Sequence, residues 1–237
     1  MKRSLPYLLV VVGLASCASS GTPLYRATEE GRIYVADPLT GSRIEKALLR
    51  FGPAVREMLG VEDGAGTPDV YFQKQSGLKY EVLAVTFPTR IVIDETGRSD
   101  LEYSVAHELA HWYMPRSVFA KLPLFAQEGL AVYVGLTFFP PFLDQLGRAG
   151  RWESSPPLPS HLYLDADGWY QLSPDERTEL SGLALEVVYR IGLDELRGLC
   201  EQGDPSIPSL LEHAGLYAPS AAKNASGLQA GAGSGGL

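Results

Sequence analysis

Cysteine is nearly missing from this chain of 237 residues, which has only Cys17 and Cys200. Once Cys17 is removed or modified near the N-terminus, neither an intramolecular disulfide nor a cysteine-built zinc site can form. Basic clusters are missing as well. Twenty Lys and Arg stand against 28 Asp and Glu for a formal charge of -8, and no basic run follows the first three residues. That balance argues against a nucleic-acid partner, because phosphate binding needs grouped cations. Internal repeats are absent. The N-terminal apolar run from Leu5 to Leu14 is too short to span a membrane as a mature helix. Histidine is scarce, with four in the chain.

The N-terminus nonetheless carries an address. Lys2 and Arg3 precede the apolar run, and small residues surround Cys17, which is the layout of a secretory signal. Leu14-Ala15-Ser16-Cys17 resembles the lipobox of bacterial lipoproteins, in which the chain is cut before the cysteine and that residue is lipidated. The alternative is ordinary signal cleavage near Ala18, since Ser16-Cys17-Ala18 also fits a small-x-small site. Either way the protein is expected to be exported. By resemblance to known sorting signals, Ala18 after the cysteine fits the outer membrane of a Gram-negative cell, facing the periplasm.

Beyond the signal, a 45% hydrophobic composition with 25 Gly and 17 Pro fits one globular domain. Residues 19–28 read as an unstructured tether. Arg32 to Val35 reads as a strand, and Ser42 to Leu59 as a helix with Ile44, Leu48, Phe51 and Val55 at helical spacing, interrupted or kinked at Pro53. Asp69–Gln73, Lys79–Phe87 and Arg90–Asp94 read as strands, the second a candidate edge against which an extended peptide could lie. Ser99-Asp100-Leu101-Glu102 reads as a capping box that opens a helix running to Met114. Further helices are expected from Pro123 to about Leu136, from Pro174 to Gly192, and from Leu193 to about Gln202. The stretch from Phe138 to Leu172 reads as mostly loop, with Asp165 to Gly168 a turn. The fold class is therefore α+β, a small mixed or antiparallel sheet followed by a mainly helical half.

Two of the four histidines stand in SVAHELAHWYM. Residues four apart share a helix face, so His107 and His111 can aim ring nitrogens at one point. A zinc ion fits there: a catalytic zinc takes three protein ligands and leaves a corner for water. Glu108, beside the first histidine, is placed to take a proton from that water. The competing reading is a solvated helix face, but Leu109, Ala110 and Trp112 make this helix largely apolar, and charged groups there need partners. A metzincin would continue with glycine and a third histidine, where Met114 and Ser117 stand instead. The next candidate ligand is Glu128, in PLFAQEGLAVY on the following helix.

His107-Glu108-Leu109-Ala110-His111 followed by Pro123, Phe125, Glu128, Gly129, Leu130 and Ala131 resembles the gluzincin-type zinc metallopeptidases of the MA-like superfamily. There the wording is HExxH and then P-x-W-x-x-E-G-L-A, with Phe125 here in place of tryptophan. The resemblance covers about Ile91 to Leu199. It implies Zn2+ held by His107, His111 and Glu128, with Glu108 as general base for peptide-bond hydrolysis. It also implies a tyrosine on the helix after the Glu128 helix, where this chain has Thr178 or Ser181. Tyr170, in the loop, and Tyr189, read as core, are the remaining tyrosines nearby.

The resulting organisation is a signal peptide over 1–16, a lipid anchor and tether over 17–28, a zincin-like peptidase domain over 29–218 and a disordered tail over 219–237. Expected partners are a peptide or protein substrate and, through the anchor, a membrane. The alternative is a catalytically silent zincin-like lipoprotein that serves as a binding or assembly module. His161 and His213 read as incidental, and Cys200 as a buried apolar residue.

Overall fold

The computed structural model describes residues 21–62, 66–74, 84–94, 101–139 and 163–216. Five strands form one mixed sheet: β1 (Leu24–Thr28), β2 (Gly31–Tyr34), β3 (Asp69–Gln73), β4 (Ala84–Phe87) and β5 (Arg90–Asp94), in the order β1-β2-β3-β5-β4. The inner three run parallel, while β1 and β4 lie antiparallel at the two edges. Ile33, Val70, Phe72, Ile91 and Ile93 alternate onto one buried face. On the other face Arg32 pairs with its register neighbour Asp69, and the Tyr34 and Tyr71 rings stack 4.3 Å apart.

The helix α1 (Pro38–Leu59) buries Ile44, Leu48, Phe51, Val55 and Leu59 in the same core. Asp37 and Pro38 begin this helix, ahead of the start expected at Ser42. Asp37 accepts from the Leu39 and Thr40 amides as N-cap, and Pro38 occupies the first turn, where it has no hydrogen bond to lose. Pro53 does not divide the helix. It lies on the exposed side, where the carbonyl four residues back can turn to water. Gly52 serves a neighbour: a Cβ there would stand 2.3 Å from Glu30 Oε2. That space lets the buried Glu30 carboxylate reach Arg56, which also donates to the Tyr113 hydroxyl at 3.0 Å.

The second half is helical. The helix α2 (Leu101–Tyr113) is followed by two 3-10 turns, Met114–Arg116 and Val118–Lys121, and then by α3 (Leu124–Phe138). Four more helices follow among the described residues: α4 (Ala166–Gln171), α5 (Pro174–Ile191), α6 (Leu193–Gln202) and α7 (Ile207–His213). A capping box between Ser173 and Glu176 opens α5. At the crossing of α3 and α5 a Cβ on Gly129 would meet the Ala184 carbonyl oxygen at 2.4 Å, so glycine permits the close approach. No helix among the described residues is long and apolar enough to cross a membrane.

The architecture is thus α+β with a mixed sheet, and several expectations need correction. Leu24–Thr28, read as tether, is strand β1, because its main chain pairs with β2 although its side chains are largely exposed. Residues 165–171, read as turn and loop, are the cap and body of α4, with the Asp165 side chain accepting from the Gly168 amide. Tyr189, read as core, is 72% exposed, since its neighbours Val187 and Val188 take the inward face of α5. The helix α7 was not expected. The signal, Cys17, Lys79 to Leu83, the Ser99-Asp100 cap, His161 and the tail from 219 onward lie outside the described residues.

Candidate metal centre

The helix α2 is anchored by Leu101, Val105, Leu109 and Trp112, all buried. Fixing that face leaves His107, Glu108 and His111 on the sides turned toward α3 and β4. The helix spacing sets the two imidazoles edge to face, with ring centroids 4.8 Å apart and Nε2 atoms 3.1 Å apart.

Glu128 arrives on α3. The 3-10 turns reverse the chain, with Ser117 accepting from the Phe119 amide, and Gln127 donates to the Leu122 carbonyl at 2.7 Å, which holds the start of α3. Phe125, Ala126, Gly129 and Leu130 are buried around Glu128. Its Oε2 stands 3.5 Å from His111 Nε2 and 3.8 Å from His107 Nε2. The donor atoms of His107, His111 and Glu128 all lie within 4.8 Å of one another, a grouping able to hold a metal ion.

The donor set fits zinc. Bonds of 2.0–2.1 Å in a tetrahedron separate ligand atoms by about 3.3 Å, close to the spacings seen here. The three side chains keep 16%, 18% and 13% of their surface exposed. With Nε2 aimed inward on both histidines, Nδ1 is the atom that faces away from the centre. His107 Nδ1 is buried and has no hydrogen-bond partner among the described residues.

Charges in this cluster depend on one another. Burial, together with the charge on His111, holds His107 down to about 3, so it is neutral across the physiological range. Burial also opposes a charge on His111, but the Glu128 carboxylate, and then Glu108, outweigh it and push His111 up to about 9. Glu128 is the counterpart. Burial would raise its carboxyl, yet His111, by charge and hydrogen bond, and His107 hold it below the usual carboxylate range. Without a metal the site is therefore a protonated His111 paired to an ionised Glu128.

Glu108 is 4% exposed, and burial pushes its carboxyl up to about 7, tempered by the charge on His111 and by a hydrogen bond from Thr86. The Thr86 hydroxyl lies 2.6 Å from Glu108 Oε2 and 3.0 Å from the Glu108 carbonyl oxygen. A buried carboxyl near neutrality is suited to exchanging protons with a water beside it.

The structure brings together the four residues expected at the centre. His213 is exposed on α7, and Thr178 turns its hydroxyl to the Pro174 carbonyl of its own helix. Tyr170 is closer to the chemistry than its sequence context implied. Burial, followed by the nearby Glu128 and Glu108 charges, holds its phenol well above the ordinary tyrosine range. Cys200 is buried, and burial pushes its thiol up to about 11, so it stays an inert apolar residue. Thr86 was missed. Its signal is a polar residue at an inward position of the AVTF alternation, where an aliphatic one is the rule. No protein-family model, curated protein or solved structure matches this chain.

Proposed function

We propose that the chain is a zinc-dependent, gluzincin-type metallopeptidase with a zincin-like fold. It is held in the bacterial cell envelope by a lipid on Cys17, facing the periplasm from the outer membrane. The observation that carries the hydrolytic reading is the convergence of His107, His111 and Glu128 from two helices beside a buried Glu108. A zinc ion held there would supply a Lewis acid that polarises a peptide carbonyl and brings water toward a pKa of about 7.

The chain's own residues do the rest. His107 and His111 give neutral nitrogens and Glu128 a carboxylate, so two of the three ligands bring no charge of their own. Glu108 accepts a proton from the attacking water and returns it to the leaving amine. The edge strand β4 pairs only with β5 among the described residues, which leaves a main-chain rim where an extended peptide could add as a further strand.

Metal analysis with digestion of a peptide library tests this reading. Wild type is expected to carry about one zinc and to cleave. Glu108→Gln should keep the metal and lose activity by about 10²- to 10⁴-fold, the usual contribution of a general base, while Glu128→Ala should lose the metal. Full activity in Glu108→Gln would remove the proposed base. Incorporation of labelled fatty acid at Cys17 tests the anchor.

One observation favours a second reading, the catalytically silent envelope module: where the resemblance gives a tyrosine the chain has Thr178 or Ser181, and Thr178 is bonded back into its own helix. Stoichiometric zinc without cleavage of any library peptide is the result that reading requires.

A further inference from the structure

The edge strand β4 meets the metal helix at one side chain. In the β4–β5 register Thr86 lies opposite Ile91 and Ala84 opposite Ile93, and both isoleucines belong to the buried face. Thr86 therefore points inward, toward α2, where its hydroxyl reaches two atoms of a single residue: Glu108 Oε2 at 2.6 Å and the Glu108 main-chain oxygen at 3.0 Å. Resting on the hydrolytic reading above, we propose that Thr86 is a positioning residue, whose hydroxyl holds the Glu108 carboxylate in place and locks the edge strand to the base as one unit.

The chemistry of a hydroxyl suits this place. Its single hydrogen can be given to the carboxylate while its oxygen remains an acceptor. When Glu108 carries a proton, the acid can donate to the Thr86 oxygen, and the Thr86 hydrogen can turn to the Glu108 carbonyl. Both states of a group that gains and loses a proton in each turnover are thus satisfied without moving a heavy atom. Without that bond a glutamate side chain has three torsions to explore. A hydrogen bond to its tip from a side chain fixed on the sheet removes much of that freedom, and misplacement of a reacting group by about 1 Å can cost 10²-fold in rate. Because the bridge comes from β4, any strand laid along that edge is placed at a fixed height relative to the base.

Valine keeps the shape of threonine without the hydroxyl, and serine keeps the hydroxyl without the methyl. The full chain is compared as wild type, Thr86→Val, Thr86→Ser and Glu108→Gln. Zinc content, circular dichroism, hydrogen exchange over 84–87, and kcat and KM on the best-cleaved peptide of a fluorogenic library are measured for each. Expected for Thr86→Val are unchanged zinc, exchange over 84–87 faster by about fivefold or more, and kcat lower by about 10- to 100-fold with KM within about threefold. Thr86→Ser should return kcat and exchange to within about threefold of wild type. A merely structural role would lower zinc content or folding together with rate, and serine would not rescue it. Should Thr86→Val not fold, Thr86→Ala takes its place with the same expectations.

Wild-type kcat and exchange in the hydroxyl-free variant, with Glu108→Gln inactive, overturn this inference and leave the function standing. Activity in Glu108→Gln equal to wild type removes the function itself, and Thr86 then has no base to position.

Discussion

Glu128 outweighs burial and pushes His111 up to about 9, so a metal taken up at neutral pH would have to displace the proton there. The sign follows directly: affinity rises with pH up to about 9 and falls by about tenfold per unit below it, down toward pH 7. Titration calorimetry at pH 7 in buffers of different ionisation enthalpy should show about one proton released per zinc bound. An affinity independent of pH would mean that His111 is neutral before the metal arrives. A second residue-scale outcome concerns Glu30, whose carboxylate is buried against Arg56. Glu30→Ala takes the buried carboxylate away from that guanidinium and should cost about 3–5 kcal/mol, read as a lower urea midpoint at constant m-value. The central site residues were legible because a helix converts a spacing of four into a shared face. Thr86 was not, because its partner lies 22 positions away, and that pairing exists only once the sheet is folded.

Elements were legible in proportion to how much they bury. The strands β3 and β5 were read to their observed limits because apolar residues fill them and Gly, Pro or Asp bound them. By contrast, β1 escaped because LYRAT shows no alternation and leaves Leu24 54% exposed, so its strand character comes from pairing with β2. Pro53 misled for a related reason, since a proline kink is a matter of which side of the helix meets water. The contact between α3 and α5 carries a prediction of its own. Gly129→Ala would place a methyl 2.4 Å from the Ala184 oxygen, so the helices must separate. Overpacking of that kind costs about 1–3 kcal/mol, and because Glu128 is the adjacent residue, zinc affinity should fall alongside the melting temperature. A variant that loses stability but keeps full metal affinity would mean that α3 yields without carrying its carboxylate along.

Across the whole molecule, a metal at this site would tie α2 to α3 across the two 3-10 turns and contribute to folding by mass action. With free zinc at 1,000 times its dissociation constant the contribution is about 4 kcal/mol. For a chain of this size each kcal/mol moves Tm by about 2–4 °C. Chelation should therefore lower Tm by on the order of 10 °C, seen by calorimetry with and without chelator, and Glu128→Ala should melt at the chelated value either way. The start of the folded body sets a different limit. The Thr22 hydroxyl bonds to Gln73 and the Pro23 carbonyl accepts from the Val35 amide, so if Cys17 carries the lipid, only four residues, 18–21, stand between it and the folded body. Five steps of no more than about 3.6 Å each span at most about 18 Å. A body anchored in that way would act only on chains that pass within a few nanometres of the lipid surface.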